Sequence, residues 1–399
     1  MSLNRPPPRR SLAVIVGALL LFPSFASAVC GPFTDVVNLA YCPFIQEIYN
    51  LGITLGTSAT TYAPAANVPR DQMAAFLARN FDRSASRTSR KAALNQWWTT
   101  TPHYDQNLGI TPVYDLPKLM ASDGDDIWVG TADQIDRVRA STGESLGSYV
   151  NNTGHTFGIL VAMNRVFATK EISPGSLLMA TPSPSNLPVN PTVVATLGDN
   201  PTGIAFDGNK IWTANDASLS IVTPASGVDW AVTSITAGIT EPAGLVFDGH
   251  NMWATQGTTG VHGSYVLLKL NSAGGILQSV AVGDGASYPV FDGNNIWVPN
   301  FFEDSLTVVR VSDGVVVKTF SADDGSQNGL SQPFAAAFDG QNVLVTNVTG
   351  SLSLFKAADL TAIGSFPTPG LTPFGVCSDG VNFWVSFQDV SGLGFIGRF

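Results

Sequence analysis

Four histidines, at positions 103, 155, 250 and 262, are the side chains of this 399-residue chain that ordinarily titrate near neutral pH. Two histidines with a carboxylate beside them can hold a divalent metal and move a proton. His155 and His262, with Glu171 as the nearest carboxylate by chain topology, are the set that could do this. His250 falls in an Asp-Gly turn and His103 far upstream, and no shared motif joins His155 to His262, so the spacing favours binding or structure over catalysis. The three cysteines cannot make a disulfide scaffold or a four-thiolate zinc site. Cys30 and Cys42 lie close enough in sequence to pair, while Cys377 sits in a strand-like run and reads as a small buried thiol. Nothing beside any of them would lower a thiol pKa, so no cysteine catalysis is expected. Neither a phosphate-cradling glycine loop nor a nucleophilic-serine constellation is expected, and no cofactor is implied.

Composition narrows what can position such groups. Charged residues make up 13%, against roughly 25% in ordinary soluble domains, and 44% are hydrophobic. With 39 Gly and 25 Pro scattered along the chain, a long helical bundle and a disordered chain are both excluded. Twenty Lys and Arg against 30 Asp and Glu give a net charge of −10, which argues against a nucleic-acid partner held by phosphate contacts.

Residues 1–28 read as an export signal. Arg5, Arg9 and Arg10 precede the apolar run Leu12 to Leu21, and Ala26-Ser27-Ala28 is a small-x-small cleavage site before Val29. The run is shorter than the roughly 20 residues of a membrane-spanning helix, so no transmembrane segment is expected. Cleavage removes three arginines and no acid, leaving −13. The address is outside the cytoplasm, at the cell surface, in the envelope or in the periplasm, where disulfides persist.

Residues 29–80 form a small helical module. Phe44, Ile45, Ile48 and Leu51 recur at helical spacing before Gly52, a fitting C-terminal cap. A second helix is expected from Pro69, presenting Met73, Phe76 and Leu77 on one face. The stretch resembles an S-layer homology module in Phe33-x-Asp35-Val36, in Ile45 through Gly52-Ile53-x-x-Gly56, in Tyr62-x-Pro64, and in Val68-Pro69-Arg70-Asp71-Gln72-Met73-Ala74-Ala75-Phe76-Leu77. The resemblance implies a pocket for anionic cell-wall glycan built from three modules, with Arg70 at the position of a main contact. Here one module is present and the usual Thr-Arg-Ala-Glu reads Pro-Arg-Asp-Gln, so a complete pocket would need three chains. Read from the residues alone, Arg70 is equally a solvated helix-start side chain. A basic, Ser-rich linker follows over 81–96.

Beyond it one phrase recurs, as in Phe206-Asp207-Gly208-Asn209-Lys210-Ile211-Trp212 and Phe291-Asp292-Gly293-Asn294-Asn295-Ile296-Trp297. Its anchor falls at 124, 163, 208, 249, 293, 340 and 380, the copy at 163 being degraded. A period of 40–50 residues with four short β-runs per copy predicts a mainly β fold, a seven-bladed β-propeller over 97–399. In the fifth copy the runs are 289–291, 296–298, 305–311 and 315–320. The last copy ends one strand short, so 97–114 is expected to supply the closing strand. The repeats resemble the bacterial surface propeller repeat typified by Tyr-Val-Thr-Asn, in Trp212-Thr213-Ala214-Asn215, Trp297-Val298-Pro299-Asn300 and Leu344-Val345-Thr346-Asn347.

The tryptophans at 128, 212, 253, 297 and 384 share one phase and should fill the space between blades rather than stack sugars. The Asp of each Asp-Gly pair is expected to serve the turn through its tolerance of positive φ rather than to bind cations. The turns lie on one face, and the longer loops lie on the other, around the channel mouth. Those loops, Asn215-Asp216, Gln256 to Gly263, Phe301-Phe302-Glu303-Asp304, Asp199-Asn200, Glu241-Pro242 and Asp323-Asp324, are where a ligand is expected. The expected function is therefore an exported envelope or surface protein, its module touching wall polysaccharide and its propeller binding an unknown ligand or serving as scaffold. The alternative, from similarity in general look to the virginiamycin B lyase family, is a divalent-metal lyase or lactonase using His155, Glu171 and His262.

Overall fold

A computed structural model describes residues 30–77 and 110–399, except 31, 37–40, 43–44, 46–47, 50–53, 71, 141, 151–153, 183–189 and 258–264. Over 110–399 the chain folds into seven four-stranded antiparallel sheets, arranged as the blades of a propeller. The innermost strands meet blade to blade around the whole circle, the seventh blade's against the first's. The fifth blade comprises Val290–Phe291, Asn295–Asn300, Ser305–Arg310 and Val315–Ser321. The degraded copy is a full blade, His155–Ala162, Arg165–Glu171, Ser176–Ala180 and Thr192–Thr196. Its first turn replaces Asp-Gly by Met163-Asn164 at φ 52° and 55°, the two left-handed residues of a type I′ hairpin.

Closure uses both ends of the repeat region. Ile110–Val113 pairs antiparallel with Gly394–Arg398 and becomes the outermost strand of the seventh blade, so that no blade lacks its fourth strand. Residues 97–109 of the expected closing segment lie outside the described residues.

The core lies between the blades. Second strands such as Ile211–Asn215 and Met252–Gln256 are buried at every position, whereas the outermost strand Val315–Ser321 is largely exposed. Each repeat tryptophan leans on the following blade: Trp212 packs with Met252 and Leu268, Trp297 with Val343, Val345 and Phe355, and Trp384 with Met120 and Ile127. All five are fully buried or nearly so. Where the repeat lacks its indole, other aromatics take the volume. Phe167 of blade two meets Trp230, which belongs to no repeat phrase, at 5.8 Å between ring centroids. Beside Leu344 of blade six, Phe366 packs against Phe399 and Phe399 against Phe383.

The turn aspartates work differently from the expectation. The glycines at 124, 208, 249, 293 and 340 do take φ between 93° and 101°, but none of the repeat aspartates has positive φ. The Asp acts through its carboxylate. In blade five, Oδ1 of Asp292 accepts the backbone N–H of Asn294 and Asn295, and Oδ2 accepts the Trp297 indole N–H at 2.7 Å. The same indole bond forms from Trp128, Trp212, Trp253 and Trp384 to Asp123, Asp207, Asp248 and Asp379. A buried indole N–H needs such an acceptor, and the turn supplies it five residues upstream.

In the N-terminal module Cys30 and Cys42 are disulfide-bonded, with Cα atoms 5.3 Å apart. Phe33 is buried against Tyr49 and Tyr62. Both Asp35 oxygens accept backbone N–H groups, from Tyr62 and Ala63, and chiefly the Tyr62 bond holds this carboxyl below its ordinary pKa. The described residues of the second helix are Arg70 and 72–77, and its first turn closes on the Pro69 carbonyl, which accepts the Met73 N–H. Its expected apolar face is not covered: Met73 is 46% and Leu77 63% exposed, because two short helices offer too little chain to fold over it.

Candidate functional site

The channel lining is built by a bulge. In blades two, four, six and seven the register of the innermost strand against its neighbour breaks between Thr156 and Ile159, Pro242 and Leu245, Pro333 and Ala336, and Pro373 and Val376. A bulge re-aims one side chain and frees one N–H from the ladder. In all four blades a hydroxyl on the second strand takes that N–H: Gly158 donates to Thr169, Gly244 to Thr255, Ala335 to Thr346 and Gly375 to Ser386. The same hydroxyl then donates to a carbonyl of the next blade, of Thr202, Ser287, Phe374 and Lys118 respectively. In blade five Pro299 replaces the hydroxyl residue, and Ser287 donates to the Phe334 carbonyl instead, at 2.6 Å. Gly203 shows the tightness: a Cβ there would collide with the Ala243 carbonyl.

One half-buried residue per blade therefore lines the channel at this level: Lys118, Phe157, Thr202, Ala243, Tyr288, Phe334 and Phe374. Five of them close a circuit. Phe157 meets Tyr288 at 5.7 Å between centroids, Tyr288 meets Phe334 at 4.9 Å and Phe334 meets Phe374 at 5.9 Å. Lys118 Nζ lies 5.2 Å from the Phe374 centroid and 5.7 Å from that of Phe157. Phe157 and Tyr288 belong to blades two and five, so their contact crosses the channel and floors it. Burial pulls the Lys118 ammonium below its ordinary pKa, partly offset by the Glu171 charge. Burial also pushes the Tyr288 phenol well up, against a hydrogen bond with Thr202 and reinforced by Glu171. Composition and periodicity passed over these positions. The available signal was their constant place, five residues before the turn Asp in blades one, three, four, six and seven, within Pro-x-Gly or a variant of it.

Of the expected catalytic set, the structure places His155 directly opposite Glu171 across a strand pair at the loop-face end of blade two, with His155 exposed. His262 and His103 lie outside the described residues. Among the described residues no three His, Cys, Asp or Glu side chains come together as a metal site. His250 sits in its turn and gives a backbone N–H to Asp248. Cys377 is buried in the strand Leu371–Ser378, where burial, with Asp379, raises its thiol pKa. Gly143-Glu144-Ser145-Leu146-Gly147 does have nucleophile spacing, contrary to the expectation. It runs from the connection between the last two strands of blade one into the outermost strand Ser145–Val150, not through the strand–turn–helix that exposes a reactive serine.

The loop-face residues turn inward more than expected. Asn215, Asn300 and Asn347 are buried and fasten their hairpins, Asn300 Nδ2 donating to Ser305 at 2.9 Å and Thr307 at 2.8 Å. Glu303 accepts the Asp284 N–H and Asp304 the Gln332 N–H, while Phe302 beside them is exposed. A groove of about 990 Å³ opens instead on the Asp-Gly face, between blades five and six. Its two cations are engaged at its rim, Arg310 by Asp313 and Lys356 by Asp359. In the N-terminal module, Arg70 is exposed at the start of its helix.

Residues 32–74 match the S-layer homology domain. Such domains generally bind cell-wall polysaccharide and mark cell-surface or envelope proteins, and no helix among the described residues is long and apolar enough to cross a membrane. No curated protein matches the chain. Among solved structures, hydrazine synthase of Kuenenia stuttgartiensis is similar at 15% identity and TM-score 0.57, covering 76% of this chain and 99% of that one. The computationally designed protein Ika8 is similar at 11% identity and TM-score 0.52, covering 74% and 99%. At these identities the likeness concerns the fold alone. The chain thus carries an S-layer homology domain followed by a seven-bladed propeller.

Proposed function

We propose that the protein is exported and held at the cell wall by its S-layer homology domain, and that it displays the propeller there as a binding module. The supporting observation is the match over residues 32–74 together with the state of Arg70, which is exposed at the helix start with no partner of its own among the described residues. A cation at that place suits an anionic polysaccharide. Because one module offers only part of the pocket implied by the resemblance, three chains supply it together. The exposed apolar side chains Tyr41, Leu55, Val68, Met73 and Leu77 are the surface through which modules of neighbouring chains would pack. Pull-down of the mature chain on purified cell wall tests this. Retention is expected for the wild type, is lost when residues 29–90 are deleted, and weakens in Arg70→Ala. Equal retention of the deleted chain would refute the anchoring.

A further inference from the structure

The five-membered circuit in the channel leaves one strong group without a partner. Lys118 Nζ has no hydrogen-bond or ion-pair acceptor among the described residues and rests only against the Phe157 and Phe374 rings. An ammonium carries three donors, and ring faces satisfy none of them as an anion would. The arrangement is built rather than incidental. The bulges that turn Phe157, Phe334 and Phe374 toward the channel are each secured by a hydroxyl bonded to the neighbouring blade, and the Lys118 carbonyl is itself held by Ser386, at 2.7 Å. Seven blades thus fix one cation and four aromatic rings at the loop-face end of the channel, where the innermost strands begin.

A second charge shapes what fits. Glu171 lies at the same end, across the strand pair from His155, and its charge reaches both Lys118 and Tyr288. A multiply charged anion would be repelled by it. A neutral sugar would leave the ammonium unpaired, and an aryl acid would offer Glu171 no donor. We propose that the channel mouth binds a sugar acid, its carboxylate on Lys118 Nζ, a C–H face of its ring on the Phe157, Phe374 and Tyr288 rings, and a hydroxyl donating to Glu171. The site goes beyond wall anchoring and does not rest on it, since every residue named belongs to the propeller.

Calorimetry on the full mature chain tests the proposal, with D-glucuronate, D-glucose and benzoate as probes. Wild type should bind glucuronate about tenfold more tightly than either glucose or benzoate, as a charge-assisted bond plus a matched hydroxyl implies. Lys118→Met, neutral and of similar length, should lose that preference, while Lys118→Arg should keep it. Phe157→Leu, which leaves the charge in place, should weaken glucuronate several-fold. Absence of measurable glucuronate binding at millimolar concentration would overturn the proposal. So would a benzoate affinity equal to that of glucuronate, or undiminished binding in folded Lys118→Met. Should Lys118→Met fail to fold, unchanged glucuronate affinity in Phe157→Leu overturns it equally. Wall pull-down of the same chain fails or succeeds independently, so a defeat of one reading is not a defeat of the other.

Discussion

The hydroxyl of Thr346 donates to the carbonyl of Phe374, on the neighbouring blade, at 2.5 Å. The same oxygen accepts the Ala335 N–H that the blade-six bulge releases from its ladder, at 3.1 Å. One atom therefore repairs a local defect and joins two blades, and the channel-facing set of Phe334 follows from both. Thr346→Val keeps the shape and removes the hydroxyl, leaving a buried N–H and a buried carbonyl short of a partner. The expected loss is about 1–3 kcal/mol in chemical denaturation, with Thr346→Ser close to wild type. A valine variant as stable as wild type would mean that the clamp contributes nothing.

The indole bond makes a paired prediction. Asp292→Ala deprives two turn N–H groups and the Trp297 indole of their acceptor, whereas Asp339→Ala deprives its turn but no indole, because Leu344 stands at that point of blade six. The first variant should be the less stable by about 1 kcal/mol, the net worth of a typical buried hydrogen bond. Equal denaturation midpoints would show that the indole bond adds no stability.

Leu344 looks like a repeat position waiting for its tryptophan, yet Phe366, Phe383 and Phe399 already occupy the adjoining space. Leu344→Trp should therefore destabilise, by roughly 1–3 kcal/mol, as overpacking does. Trp297→Ala, at the equivalent point of blade five, should cost about 3–5 kcal/mol. A gain in thermal midpoint for Leu344→Trp would mean that these aromatics of blades six and seven do not fill that wedge.

Two aspartates, Asp248 half-buried in its turn and Asp136 buried in its strand, should give stability opposite pH dependences. Burial pushes the Asp248 carboxyl up, but the Trp253 indole, the Asn251 and His250 N–H groups and the Lys269 charge outweigh it, so its pKa falls below the ordinary 3.8. Its contribution is present above that value and is lost as pH falls through the lower folded one. Asp136 is the reverse. Burial outweighs its bonds with Ser148, Tyr114 and Gln134 and raises its pKa, so its contribution is full below 3.8 and declines as pH rises through the folded value. Thermal midpoints measured from acid to neutral pH should show Asp248→Asn flattening the acid limb and Asp136→Asn flattening the decline above it. Parallel curves for both variants would contradict this.

Association of the modules is checked by sedimentation. The mature chain is expected as a trimer at micromolar concentration, and Met73→Glu, which puts a charge on the open apolar face, is expected as a monomer. A wild-type monomer at all concentrations would exclude the shared pocket.

Sequence alone determined the number of blades, the phase of the tryptophans and the presence of an S-layer homology domain, because each is a statement about periodic or local pattern. Repetition makes one good copy enough to read a poor one: Met163-Asn164 turns its hairpin with two left-handed residues where the others use one glycine. What the chain could not disclose is what meets across the ring. Phe157 and Tyr288 are 131 positions apart and touch only because a ring of seven blades sets the second and the fifth on opposite sides of one channel. The turn aspartate was legible as a turn but not as an acceptor for an indole five residues on, since that bond needs the hairpin to have formed. The seating of the Lys118 ammonium between two rings is a property of closure itself, created when the first and seventh blades meet around a channel that no single repeat encodes.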